Sequence, residues 1–366
     1  MKRIGYISTE WLIDTDITVI GGLASEYELH FFYVCNFNSP RYSIEKLKSF
    51  CLIHNIRLHL YDHSAKYLSL KTFWLNYRII KDVSRLNPEL IVKINSHLYW
   101  LTLASLLLRK KIVYGFHDVK PHSNTKGGLL IDFVIKQTIK LNEMFFVYSS
   151  TQYNYFNKLW PNKYVVNVGM SVKSFGESNA ECPPISEGVR LLFFGRIEAY
   201  KGLSDLISCI EKLQEEGIDN LNLSIYGKGP YWPNCESLIK TRKNYNLNIR
   251  FIENEEIAKL FSSHHFLILP YRDTTQSGPL LIAANYGIPI VAPRFPSFLE
   301  IYSENSALFY DKGNLLDALK RLSTFTDSDY SNLKNNAESL KNRLSEKTIS
   351  NNYINFFNSI LNNDNY

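Results

Sequence analysis

Residues 191–202 read LLFFGRIEAYKG: an apolar run stops at Gly195, a short polar loop carries Arg196 and Lys201, and an amphipathic helical pattern starts after Gly202. Strand, glycine, polar loop and helix in that order form the repeating unit of a doubly wound α/β sheet. The loop therefore falls at the carboxyl end of a strand, where such sheets bind ligands. Arg offers a planar fork suited to phosphate oxygens and Lys a mobile point charge, while the amide end of the following helix adds partial positive charge. Two charge-assisted contacts of roughly 1.5 to 3 kcal/mol each would matter to the binding of a diphosphate. An ordinary surface loop with two solvated cations has the same composition, so the choice between the two readings depends on the rest of the chain.

Outward from this loop the same alternation recurs. Before it, the β-rich runs KRIGYIS, LHFFYV, IRLHLYD, PELIVKIN, KKIVYGFHD, EMFFVYS and KYVVNVG are separated by amphipathic segments, which predicts a doubly wound domain with a largely parallel sheet over residues 1–172. SVKSFGESNAECPPISEG then interrupts the pattern with polar residues, Gly and a Pro pair, and reads as a linker over 173–188. A second series, RLLFFG, LNLSIYG, IRFIEN, FLILPY, PIVAP and ALFYD, predicts a second domain over 189–345. Asn254 ahead of two glutamates reads as a capped helix start. Residues 346–366 hold one further helical pattern, expected to pack back on the first domain. Two such domains in tandem predict a cleft between the carboxyl ends of their sheets.

Composition sets outer limits. With 366 residues, 45% hydrophobic and 21% charged, the chain can fill two cores. Its five cysteines are scattered without a CxxC pair, which points to reduced thiols in a cytosolic setting and to no zinc site. MKRIGYISTEWL lacks the apolar core of a signal peptide. The longest apolar stretch, Leu98 to Leu108, is about half of what a spanning helix requires, so the expected setting is cytoplasmic or peripheral to the inner face of a membrane. Residues 1–180 hold 22 Lys and Arg against 13 Asp and Glu, while the remainder holds 19 against 22. The first half thus expects an anionic surface or substrate, with no pattern for nucleic acid.

The second informative stretch is PYRDTTQSGPLLIAANYGIP, residues 270–289. Ser277 and Gly278 precede a helix expected to begin near Pro279, a residue suited to the first turn, and free amides there can hold a phosphate. Together, GRIEAYKG at 195–202, YGKGP at 226–230 and AANYGIPIVA at 283–292 resemble, in order and spacing, the C-terminal domain of glycosyltransferase family 4, the group 1 transferases of the GT-B fold. The likeness spans roughly residues 189–325, and the first half matches mainly in element order.

The resemblance implies a retaining transferase that needs no metal and no cofactor, with a nucleotide-sugar as co-substrate. It places the donor diphosphate on Arg196, Lys201, Ser277 and Gly278, and the donor sugar or nucleotide near Gly195, Gly227, Asp273, Thr274 and Gln276. Most members carry two glutamates eight positions apart, where this chain has Thr274 and Ile282. A subset concerned with polysaccharide assembly shows a Y-R-D-x-x-Q-S-G form instead, matched by Tyr271, Arg272, Asp273, Gln276, Ser277 and Gly278. That subset implies a glycan or lipid-linked saccharide acceptor. The missing carboxylates motivate an alternative, a non-catalytic partner subunit that scaffolds an active transferase.

In the first half, GFHDVKPHSN (115–124) stands at a strand end. His117 and Asp118 are candidate catalytic residues and His122 a candidate on the acceptor side, since family members often carry a His-Asp with a nearby His there; titration near neutrality suits His to such sites. Asp14-Thr15-Asp16 follows the first strand and reads as a helix cap rather than a metal motif. KYLSLKTFWLNYRIIKDVSR, residues 66–85, mixes cations with aromatics and fits either a core helix or one resting on an anionic bilayer.

Overall fold

The computed structural model describes residues 1–64, 69–94, 112–119, 128–274 and 277–362. The chain divides into two units: Met1–Ser171 together with the segment from Glu346 onward, and Val172–Ser345.

The first unit is built on seven strands, β1 (Arg3–Thr9), β2 (Glu28–Cys35), β3 (Arg57–Asp62), β4 (Leu90–Ile94), β5 (Ile112–Phe116), β6 (Met144–Val147) and β7 (Tyr164–Asn167). Their order is β3-β2-β1-β4-β5-β6-β7, and every pairing is parallel. Tyr6, Phe31, Tyr33 and Phe146 belong to one core, and Ile7, Phe32, Tyr114 and Phe145 to another. Burial of alternate residues in separate cores explains why these strands read as continuous apolar runs rather than alternating ones. The helix Glu346–Leu361 adds Ile349, Tyr353, Phe356, Phe357 and Ile360 to the first of these cores. It crosses the helix Ile13–Leu23 so closely that a Cβ on Gly22 would lie 2.4 Å from Ser350 Oγ.

The second unit repeats the plan with β8 (Val189–Phe194), β9 (Leu221–Tyr226), β10 (Tyr245–Asn248), β11 (Phe266–Ile268), β12 (Ile290–Pro293) and β13 (Ala307–Tyr310). The order β10-β9-β8-β11-β12-β13 reproduces that of the first six strands, again all parallel. Both units are Rossmann-like.

Two local expectations need correcting, and the linker segment gains detail. IRFIEN is not the third strand of the second sheet; YNLN just before it is, paired through Tyr245↔Leu223 and Leu247↔Ile225. β10 has only one neighbour in the sheet, and an edge strand tolerates polar residues that a central one does not, so the more apolar run nearby was misleading. Segment 173–188, read as a linker, is bonded to the second unit. Phe175 N–H donates to Tyr286 Oη at 3.0 Å and Ile185 N–H to Asp327 Oδ1 at 2.8 Å, because irregular backbone still needs partners when it packs against a domain. Glu253, not Asn254, caps the helix Asn254–Ser262, in a reciprocal capping box with Glu256.

Candidate functional site

The loop after β8 is held by its neighbours backbone to backbone. Gly195 has φ +114 and donates its N–H to Tyr226 O at 2.9 Å; Ile197 N–H donates to Lys228 O at 3.1 Å. A Cβ on Gly227 would lie 1.9 Å from the Gly195 carbonyl oxygen, and one on Gly229 2.1 Å from that of Ile197. No real Cβ approaches so near, so the two glycines of YGKGP are what let that turn lie against GRIEAYKG. One 3-10 turn, Ala199–Lys201, then leads through Gly202 into the helix Leu203–Glu215.

Lys201 is the chemical centre of this arrangement. It is only 8% exposed, and its ammonium has no hydrogen-bond or ion-pair partner among the described residues, only the face of Tyr271 at 5.1 Å from the ring centroid. Burial pushes its pKa down, the Tyr200 and Glu198 groups pull it back, and the Arg196 charge adds to the depression. A buried, unpaired cation is costly, and an anion brought beside it would relieve that cost. Arg196 stands differently: its side chain is 80% exposed, with Nη2 on Glu198 Oε1 at 2.6 Å.

The helix Gly278–Asn285 starts against the same point. A Cβ on Gly195 would sit 3.2 Å from Lys201 Nζ and 3.7 Å from Pro279 Cγ, so the ammonium and the first turn of this helix flank one position. Ser277 occupies the N-cap without a side-chain capping bond. Its Oγ and the Tyr271 Oη are both buried, and neither has a hydrogen-bond partner among the described residues. Burial pushes the Tyr271 phenol up to about 12, with a smaller opposite pull from the Ser277 hydroxyl. One buried cation, two orphaned hydroxyls and a helix amino end therefore converge where β8 and β11 end, a donor set matched to phosphate oxygens.

The remaining residues of the second stretch divide by role. Arg272 grips Asp205 with two hydrogen bonds, 2.8 and 2.6 Å, and its backbone N–H donates to Tyr200 O at 2.7 Å. It staples the second loop to the first rather than reaching for a ligand. Asp273 is exposed, Thr274 half-buried, and Ile282 is packed in the core with Leu280 and Ala283. Gln276 lies outside the described residues.

In the first unit, His117 and Asp118 follow β5. His117 Nδ1 is 3.3 Å from Asp118 Oδ2, and its ring lies 5.7 Å from that of Tyr148. Gln152 Oε1 fixes the turn by accepting Val119 N–H at 2.9 Å. His122 lies outside the described residues. The DTD motif is not a cap: the helix Ile13–Leu23 is preceded by Leu12 with no side-chain cap. Asp16 is instead buried and accepts the Tyr6 hydroxyl at 2.8 Å, while its Oδ2 has no hydrogen-bond partner among the described residues. Burial pushes its carboxyl up to about 7, against the nearby Ser8 and Tyr6 hydroxyls, which favour the anion, and His117 is close enough for its charge to act in the same direction.

Sequence reasoning missed Tyr271 as the ring beneath Lys201 and Asp16 as a buried acid. Tyr271 was visible only as part of a pattern, and the spacing of Asp16 from the strand suggested a cap.

Two parallel Rossmann-like sheets in series, the second with an anion-suited strand end, are the architecture of GT-B proteins. Over its length the chain superposes on the sucrose-phosphate synthase of Thermosynechococcus elongatus (TM-score 0.73, 14% identity, 99% of this chain and 100% of that one). It likewise superposes on Anabaena HepE in complex with UDP (TM-score 0.70, 14% identity, 98% and 100%). At such identities the likeness is one of fold.

Residues 188–324, all within the second unit, match the family described as glycosyl transferases group 1. In sequence the chain is similar to a GDP-mannose:glycolipid 4-beta-D-mannosyltransferase of Xanthomonas campestris pv. campestris, 30% identical over 127 residues, which are 34% of this chain and 33% of that protein. The chain thus spans about a third of the length of the curated relative it matches.

Proposed function

We propose that the protein is a retaining, metal-independent glycosyltransferase that takes a sugar from a nucleotide-sugar donor. The acceptor is a glycan or lipid-linked saccharide of surface-polysaccharide assembly, met from the cytoplasmic side of a membrane. One observation carries the reading: Lys201 holds a buried, unpaired ammonium in the G-R-x-x-x-x-K-G loop, beside a helix amino end, inside the stretch similar to group 1 transferases. In this role Lys201, Arg196 and the amides after Ser277 bind the donor diphosphate and stabilise the charge that grows on it as the glycosidic bond breaks. That stabilisation is the task a metal performs in other transferases. His117 and Asp118 act on the sugar or acceptor from the first unit. The glycolipid named for the Xanthomonas relative supports a lipid-linked acceptor.

A panel of UDP-, GDP- and dTDP-sugars read by thermal shift tests the donor half of the proposal. One donor should raise Tm, and Lys201→Ala or Arg196→Ala should remove the rise; no shift with any donor overturns it. Product analysis with a lipid-linked acceptor pool tests the other half. Donor binding without turnover across many acceptors would favour the scaffold reading, for which the packing of Ile282 in the core is the specific support.

A further inference from the structure

The helix Leu70–Leu86 joins β3 to β4, and in its first half the fully buried residues are polar while an apolar stripe faces outward. Thr72 and Asn76 are buried, with Asn76 Nδ2 donating to the Thr72 carbonyl at 2.5 Å. Leu70, Phe73, Trp74 and Tyr77, at i, i+3, i+4 and i+7, are instead 79%, 40%, 62% and 52% exposed. Such spacing makes one continuous helical stripe. The rings already touch: Phe73 to Trp74 and Trp74 to Tyr77 each meet edge-on with centroids 5.7 Å apart. Leu75 packs part-buried against the core from the first half, and in the second half Ile79, Ile80 and Val83 turn a fully buried apolar face to it.

Cations border the stripe. Lys71, Arg78, Lys81 and Arg85 are all exposed, and at 100° per residue they fall on the outward side, opposite Thr72, Asn76, Ile79 and Val83. The helix has a single acidic residue, Asp82, which is partly buried, accepts the Tyr61 hydroxyl at 2.8 Å and lies 4.0 Å from both Arg78 and Arg85.

We propose that this face docks the protein on an anionic lipid bilayer. Aromatic rings with polar edges suit the headgroup layer, and long cationic side chains can keep their charges at the surface while their stems lie along the apolar stripe. Each cation near an anionic surface adds to the attraction, which salt weakens. The charge complementarity selects a bilayer over a second copy of the chain, whose matching face would carry the same cations and repel them. The helix starts just after the carboxyl end of β3. In an all-parallel sheet this puts the stripe at the edge that also carries His117 after β5. A lipid-linked acceptor would thus be held at the edge where the candidate residues stand; this purpose rests on the transferase reading, whereas the docking itself does not.

The test is co-sedimentation of the full chain, without nucleotide, with vesicles of phosphatidylcholine alone or mixed with phosphatidylglycerol. Binding is expected only to the anionic vesicles. It should weaken about tenfold or more in Trp74→Ala/Tyr77→Ala and in Lys81→Gln/Arg85→Gln, and fall with added salt. All four side chains are exposed, and an unchanged melting curve confirms that the variants fold. Quenching of Trp74 fluorescence by brominated lipid, absent in Trp74→Phe, reads the contact in the otherwise intact protein. The proposal is overturned by no binding to anionic vesicles, by binding that the variants leave unchanged, or by self-association that the same variants abolish. Since no donor is present, failure here is separate from failure of the donor thermal shift.

Discussion

The two units place buried ionisable groups of opposite type, an acid and a base, at corresponding places in one topology. In each, the first strand of the unit lies third in the sheet, as β1 and β8 do, and the connection that leaves it holds a buried ionisable group: Asp16 after β1, Lys201 after β8. Asp16 retains a hydrogen-bond donor in Tyr6, whereas Lys201 has an aromatic face and, among the described residues, no acceptor. The difference teaches that strand order fixes where a ligand can be met, while a few loop residues fix its charge. The lysine end offers a buried cation, and the aspartate end a buried acid.

The largest effect should come from the turn on which the lysine end depends. Gly227→Ala forces a Cβ into the Gly195 carbonyl at a backbone φ of +147 and should destabilise the second unit by about 3 kcal/mol or more, seen as a lower Tm for that unit. A variant with wild-type stability would mean that the two loops are not locked together.

Next is Lys201→Ala, which should weaken donor binding about tenfold to a hundredfold by calorimetry, with little loss of stability because the buried charge had no partner. The wild-type affinity should also fall as pH rises. Burial holds the free ammonium below its ordinary value, a diphosphate favours the charged form and raises it, and between the two values binding takes up a proton. Affinity is therefore lost as pH rises through the free-state value, and proton uptake appears as a dependence on buffer ionisation enthalpy. A flat profile would sink the idea that this lysine meets the diphosphate.

Asp16→Asn probes the opposite end. A carboxyl that ionises near 4 when unfolded and at about 7 when folded costs stability progressively as pH rises between those values. Asparagine still accepts the Tyr6 hydroxyl, so the variant should gain a few degrees in Tm at pH 8 and almost nothing at pH 4. An equal change at both pH values would show that ionisation is not the cause.

The smallest effect is expected from Arg272→Ala. Its bond to Asp205 is doubled but half-exposed, worth about 0.5 to 1 kcal/mol, and the visible result should be a modest loss of donor affinity through a looser second loop.

Much of the fold was legible because parallel strands buried on both faces write themselves as apolar runs. All seven runs of the first half became β1 to β7, and five of six in the second became strands. The exception, IRFIEN for YNLN, came at the sheet edge, where burial no longer dictates composition. The geometry of the candidate anion site was legible in part: Lys201 and the helix start at Gly278 flank one position, but the spacing did not reveal that Arg196 would be solvent-facing, or that Arg272 would be tied to Asp205. Those outcomes depend on which neighbour a flexible side chain finds.

The sequence by itself determined that there are two doubly wound halves and that a glycine-bounded loop with two cations ends a central strand, because periodicity, glycine and charge are local properties. Only the tertiary structure decided which cation is buried and unpaired, why Gly227 must lack a side chain, that Asp16 lies inside rather than capping a helix, and that Trp74 faces solvent. Each of these depends on what other segments leave or remove around a side chain, and burial, which sets the energy of a charge or a ring, is a property of the packed chain and not of its order.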